Sequence, residues 1–189
     1  SYVKIVVVTS LVRNALGVQQ VPPAMVMNGL AIILSVFIMA PVAMDTADIV
    51  KTLPVPANPG PADVIDLADR ASPPLRRFLA ANSDEKVTNM FMGTARRIWP
   101  AERHDMINKD NLLIMVPAFT ISELTKAFQI GFVLYLAFVA IDLIISNILL
   151  AMGMMMVSPT TISLPFKLLL FVTLDGWLKI SQGLMLSYQ

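Results

Sequence analysis

The run AMVMNGLAIILSVFIMAPVAM, residues 24–44, holds 21 residues without a charge, interrupted only by Asn28, Ser35 and a late Pro41. About 20 apolar residues cross a hydrocarbon core, and inside lipid a lone segment can satisfy its backbone only as a helix. A chain built around such a run is predicted to be helical and membrane-associated. The other apolar segments are less regular. Residues 2–16 contain Lys4 and Arg13, and the uncharged part is half a span at most. Residues 112–156 are interrupted by Glu123, Lys126 and Asp142, and residues 164–188 by Lys167, Asp175 and Lys179. Counted strictly, one of four segments is an ordinary transmembrane helix. Charges inside apolar helices need a bundle interior or a water-filled cavity, so the expectation is an oligomer whose helices pack mainly on protein.

Charge placement divides the chain. Residues 45–110 hold ten acidic and nine basic side chains, whereas the other 123 positions hold eight charges. The boundaries read as an N-terminal hydrophobic hairpin at 1–44, a polar proline-rich helical insert at 45–111, and a C-terminal hydrophobic hairpin with a Met-rich turn at 112–189. The fold class is all-α. Within the insert, Ser72 before Pro73 suits an N-cap and first-turn pair, and Asn82 or Ser83 is expected to cap another helix with Val87, Met90, Phe91, Thr94 and Ile98 on one face. The stretch 54–61 reads as an extended connector. Elsewhere, residues 112–122 read as too short to span and carry Pro117, with 127–156 as a separate longer segment.

A formal net charge of +1 leaves no basic field for nucleic acid. With no cysteine, thiol catalysis, disulfides and Cys-ligated zinc are excluded. His104 has no second histidine nearby, and the Asp63, Asp66 and Asp69 stripe reads as a solvated face. No metal or cofactor is expected. Phosphate loops, HExxH, GxSxG and dinucleotide fingerprints are absent, so the chain reads as non-enzymatic. Asp142, near the middle of an apolar segment, must face protein or water. It is the residue on which an ion-coupled transporter would depend. Glu123 with Lys126, and Asp175 with Lys179, have spacings that allow pairing along a helix, and Lys167 falls on a face similar to that of Asp175. Arg13, in the first link, mildly favours that link in the cytoplasm and the polar insert outside.

Four methionines, Met152, Met154, Met155 and Met156, surround Gly153. At 100° per residue Met152, Met155 and Met156 share a face while Met154 points away, so a regular helix cannot present all four together. Either those three share a surface, or Gly153 breaks the helix near its end, the run becomes a loop and 158–165 reverses the chain.

Three blocks carry a resemblance: LVRNALGVQQVPPAMVMNGLA (11–31), VPAFTISELTKAFQIGF (116–132) and MGMMMVSPTTISLPFKLLLFVTLDGW (152–177). The chain resembles the FliP/SctR (YscR/HrcR-like) family, core export-apparatus membrane proteins of type III secretion systems. VSPTTISLPFK looks more like the virulence (injectisome) branch than the flagellar one. The resemblance implies a homo-oligomer, a pentamer, joined by S/FliQ-type and T/FliR-type subunits in a helical, cone-like gate in the bacterial inner membrane that projects toward the periplasm and passes unfolded secreted proteins. It implies a methionine gasket on Met154, Met155 and Met156, with Met152 adjacent. Glu123, Lys126, Asp142, Lys167 and Asp175 are then expected to hold the ring together as interprotomer or buried polar contacts. Relatives also carry an additional N-terminal hydrophobic stretch, in keeping with apolar sequence beginning directly at Ser1. Ala137, in YLAF, stands where many relatives are expected to have proline.

Overall fold

In the computed structural model, residues 1–18, 21–54, 60–154 and 156–188 are described, and among them every regular element is helical. The helices are α1 (Tyr2–Leu16), α2 (Ala24–Thr52), α3 (Pro61–Ala71), α4 (Pro73–Asn82), α5 (Glu85–Ile98), α6 (Leu112–Ala151), α7 (Pro159–Thr173) and α8 (Gly176–Leu186), with a 3-10 turn at Ala101–Met106. The chain divides into two compact units, one of residues 1–35 and 124–189, the other of 36–123. The expected connector at 54–61 falls largely on residues 55–59, outside the described residues.

Two helices, α2 and α6, are long and apolar enough to cross a membrane, and α7 with α8 forms a third candidate bent by 59°. The single ordinary span expected from sequence therefore becomes two. Residues 112–122 and 127–156 are not separate segments, because α6 runs unbroken from Leu112 through Pro117, Glu123 and Lys126. Proline removes one N–H from a helix but need not end it. Here Pro117 is followed by the buried residues Ala118, Ser122 and Glu123.

In the first unit, α1 buries Ile5, Val8, Val12, Ala15 and Leu16, a helical stripe, and stops at Gly17, whose φ of 78° is a left-handed conformation that glycine adopts without strain. Helix α6 approaches α1 so closely that a Cβ at Gly131 would overlap the Leu11 side chain. Phe171 joins Phe138 and Trp177 in ring contacts of 6.3 and 5.2 Å between centroids, pinning α7 and α8 to α6. Lys4, only 1% exposed, donates to Ser187 Oγ at 3.0 Å and lies 3.7 Å from the Tyr188 ring centroid. That buried cation ties the start of α1 to the end of α8.

The second unit contains the polar helices. Asp63 accepts from Gly60 N–H at 2.8 Å to cap α3. Ser72 and Pro73 do open α4, but the Ser72 hydroxyl donates to Asp69 O and accepts from Arg76 Nε rather than capping the helix. Asn82 and Ser83 do not cap α5: Asp84 does, through Lys86 N–H at 2.8 Å, and Asn82 closes α4. The buried face of α5 also differs from expectation. Ala95 forms a core with Ile107 and Ile114, with Phe91, Met92 and Trp99 packed against it, whereas Ile98 is 71% exposed and Met90 is exposed too. Trp99 offers more area to bury than either, which turns the 91/92/95/99 face inward.

Candidate functional site

The site is the α6–α7 hairpin: a buried polar joint at one level and a methionine turn at its tip. Helix α6 ends at Ala151 because Gly153 enters the left-handed region at φ 72°. Gly153 N–H donates to Leu150 O and Met154 N–H to Leu149 O, both at 3.0 Å. This is the Schellman pattern, which uses up carbonyls that a helix end otherwise leaves bare. Helix α7 starts at Pro159, where a missing N–H is harmless, after Ser158 in extended conformation. The break near Gly153 is therefore as expected. The reversal is not at 158–165: it is confined to the residues before Pro159, and Pro165 lies inside α7. There it forgoes the bond that an N–H would make to the Thr161 carbonyl, yet α7 continues past it to Thr173.

The turn leaves its methionines in solvent. Met152 and Met154 are exposed, and Met156 is 103% exposed. Met155 lies outside the described residues. Below them, Ile141, Ile144, Ile145, Ile148, Leu149 and Met152 of the α6 end face Ile162 and Phe166 of α7 across a wholly apolar groove.

The joint is polar, buried at Lys167 and Ser163, with the Asp142 side chain still 29% exposed. Lys167, 5% exposed, donates from Nζ to Asp142 Oδ2 at 2.6 Å and to Ala15 O at 3.1 Å. Ser163, one helical turn before Lys167, donates to Asp142 Oδ1. Three helices thus meet at one carboxylate and one ammonium. The Ala15 carbonyl belongs to the last turn of α1, where partial negative charge gathers and a cation is favoured. A buried pair is tolerable only when its remaining lone pairs and protons also find partners, and Ser163 and Ala15 supply them.

Other charges singled out from sequence are placed apart from this joint. Lys167 pairs with Asp142 and not along its own helix with Asp175. Asp175 is exposed, in the left-handed region at φ 52°, at the N-cap position of α8 with no side-chain capping bond. Lys179 reaches it through the backbone, N–H to O at 3.0 Å, and the two side chains form no salt bridge among the described residues. Glu123 is fully buried in the second unit, and Lys126 is half-buried in the first. Sequence reading missed Ser163, the Ala15 carbonyl and Lys4. The Ser163–Lys167 spacing of one turn was available as a signal, as was a lone lysine four residues into an apolar helix.

A protein-family model described as the FliP family matches residues 1–184. The chain is 53% identical to the Yop proteins translocation protein R of Yersinia pestis, over all of this chain and 86% of that protein. It is 51% identical to the virulence protein YscR of Salmonella typhimurium, over 94% of this chain and 81% of that one. Over its full length and 88% of the relative, it is 47% identical to the hypersensitivity response secretion protein HrcR of Ralstonia nicotianae.

Proposed function

The chain belongs to the FliP family, and on that premise we propose that it is a non-enzymatic, pore-forming subunit of a type III secretion export gate in the bacterial inner membrane. Relatives named for translocation, virulence and secretion support the export role. The observation that carries the pore reading is the contrast at the α6–α7 tip: exposed Met152, Met154 and Met156 on a turn fixed at both ends by a Schellman cap and Pro159. Soft, unbranched thioethers repack around varied partners, which suits a constriction that must close against ions yet yield to unfolded polypeptide.

In this reading several copies, a pentamer, surround the channel with FliQ-type and FliR-type subunits, and Met154, Met155 and Met156 with Met152 form the gasket. The hydrophobic regions 1–44 and 112–189 build the gate, and the polar region 45–111 faces the periplasm. Asp175, exposed, and Lys126 serve as contacts between copies, and Glu123 as a buried polar contact. Asp142 and Lys167 act earlier, inside each copy, by holding the hairpin that carries the methionines. That engagement disfavours an ion-coupled transporter based on Asp142, because its carboxylate already has Lys167 and Ser163 as partners.

Met156→Cys tests the reading, since the chain has no cysteine of its own. In assembled complexes under oxidation, a disulfide joining copies is expected. Absence of any cross-link, with the complex intact, contradicts a methionine ring.

A further inference from the structure

Among the surfaces that the polar unit leaves exposed is a cleft that carries an aromatic side chain and a cation together. Trp99, Pro100, Arg103, Met106 and Leu113 line a cleft at the end of α5. One side of Trp99 is fixed against the Ala95, Ile107 and Ile114 core, so the indole is held in place. Around it Ile98, Met106 and Leu113 are exposed, and such apolar exposure on a polar unit marks a surface that binds something. The cations differ from their neighbours. Lys51, Arg70, Arg76 and Lys109 each meet a carboxylate within 2.9 Å, whereas Arg96, Arg97 and Arg103 form no salt bridge among the described residues. Leu113 lies in the first turn of α6, a helix apolar enough to cross a membrane. The cleft therefore sits where the chain passes from polar sequence into hydrocarbon-compatible sequence.

We propose that this cleft is an interfacial anchor on phospholipid, with Trp99 at the boundary between acyl chains and headgroups and Arg103 bound to a lipid phosphate. Tryptophan favours that boundary because its ring is apolar and its N–H still finds a partner. Arginine extends an apolar stem and offers a planar fork that matches phosphate oxygens. Counting Arg96, Arg97 and Arg103 against Glu102 and Asp105 leaves a single net positive charge. The ligand is thus the phosphate of ordinary bilayer lipid and not a polyanion. The anchor would keep the polar insert lying against the membrane around the gate.

The inference rests on the membrane reading above, and the test separates the two. The chain is reconstituted with its partner subunits in bilayers whose lipids carry bromine near the top of the acyl chains, with Trp177→Phe leaving Trp99 as the emitter. Trp99 emission is expected to fall by about half, as for an interfacial indole, with little quenching by aqueous iodide, and Arg103→Glu should reverse much of that fall. Quenching by iodide alone overturns the anchor. So does shielding from both quenchers, which would assign the cleft to a protein partner. Phe37→Trp, in a Trp99→Phe/Trp177→Phe background, reports on α2. If it is quenched by brominated lipid while Trp99 is not, only the anchor fails; if neither is quenched, the membrane reading fails with it.

Discussion

The joint at Asp142 and the turn at Met152 are about three helical turns apart along α6, yet they are built on opposite rules. At the joint the polar atoms find partners on other helices: Lys167 Nζ and Ser163 Oγ donate to the two oxygens of Asp142, and Lys167 Nζ donates also to the Ala15 carbonyl. At the turn the end of α6 is closed by backbone bonds from Gly153 and Met154, while Met152, Met154 and Met156 are exposed. The difference teaches how one hairpin can be rigid in its chain path and soft at its tip. Specific geometry is concentrated where nothing has to move, and adaptable side chains are placed where varied partners must pass.

The comparison breaks most visibly at the joint. Lys167→Met should leave the Asp142 carboxylate facing an apolar neighbour; removal of one partner from a fully buried pair costs about 3–5 kcal/mol, and less here because that carboxylate is 29% exposed and keeps Ser163. Thermal unfolding of the purified complex should show a large loss of stability, and Asp142→Asn combined with Lys167→Met should recover part of it. No loss in the single variant would mean that the joint is not what holds the hairpin. Next in size is the α1–α6 approach. At Gly131→Ala the new Cβ would press on Leu11, and overpacking of this kind costs about 1–3 kcal/mol. Leu11→Ala in the same chain should relieve it in the same melting experiment.

Smaller again is the cap of the methionine turn. Gly153→Ala forces a Cβ into the left-handed region, at about 1–2 kcal/mol. Because the strain falls next to the methionines, the variant is expected to alter gating more than melting temperature. Equal loss of both would blur the distinction between joint and tip.

The smallest effect belongs to the polar unit, whose ion pairs lie at the surface. Lys109, hydrogen-bonded to Glu85 and attracting it electrostatically, holds that carboxyl below its ordinary value of 4.5, against an opposing push from Asp84. A lowered carboxyl pKa contributes stability above the unfolded value, and that contribution is lost as pH falls through the folded one. Glu85→Gln should therefore remove a small part of the acid sensitivity below about pH 4.5, read as a slightly flatter fall in unfolding temperature. Being fully exposed and screened, the pair should matter far less than the joint.

Much of this was legible in the sequence because it is local. The limits of α1, the start of α2 after two prolines, the stop near Gly153 and the family resemblance all lie within short windows. What was not legible depends on distant partners. On a helical wheel Lys167 points toward Asp175, but the chain bends at Asp175, and the partner is Asp142 on another helix. Lys4 meets Ser187 and Tyr188 from the far end of the chain, a pairing that carries no local pattern. Helix α6 was divided at Pro117 and Glu123 because a proline and a charge in an apolar run imitate a break. Tertiary packing around Ala118, Ser122 and Glu123 overrides both. The inward face of α5 was misjudged for a similar reason, since Trp99 lies just beyond the helix and still decides which side is buried.

The most direct test of the central claim is the resting ion conductance of membranes holding the assembled complex with Met154, Met155 and Met156 replaced by alanine. The account predicts an intact complex, with unchanged melting, and a raised leak, because the tip has lost its soft contacts while the joint keeps its partners. An intact complex with the resting conductance of the unaltered chain would contradict a methionine gasket.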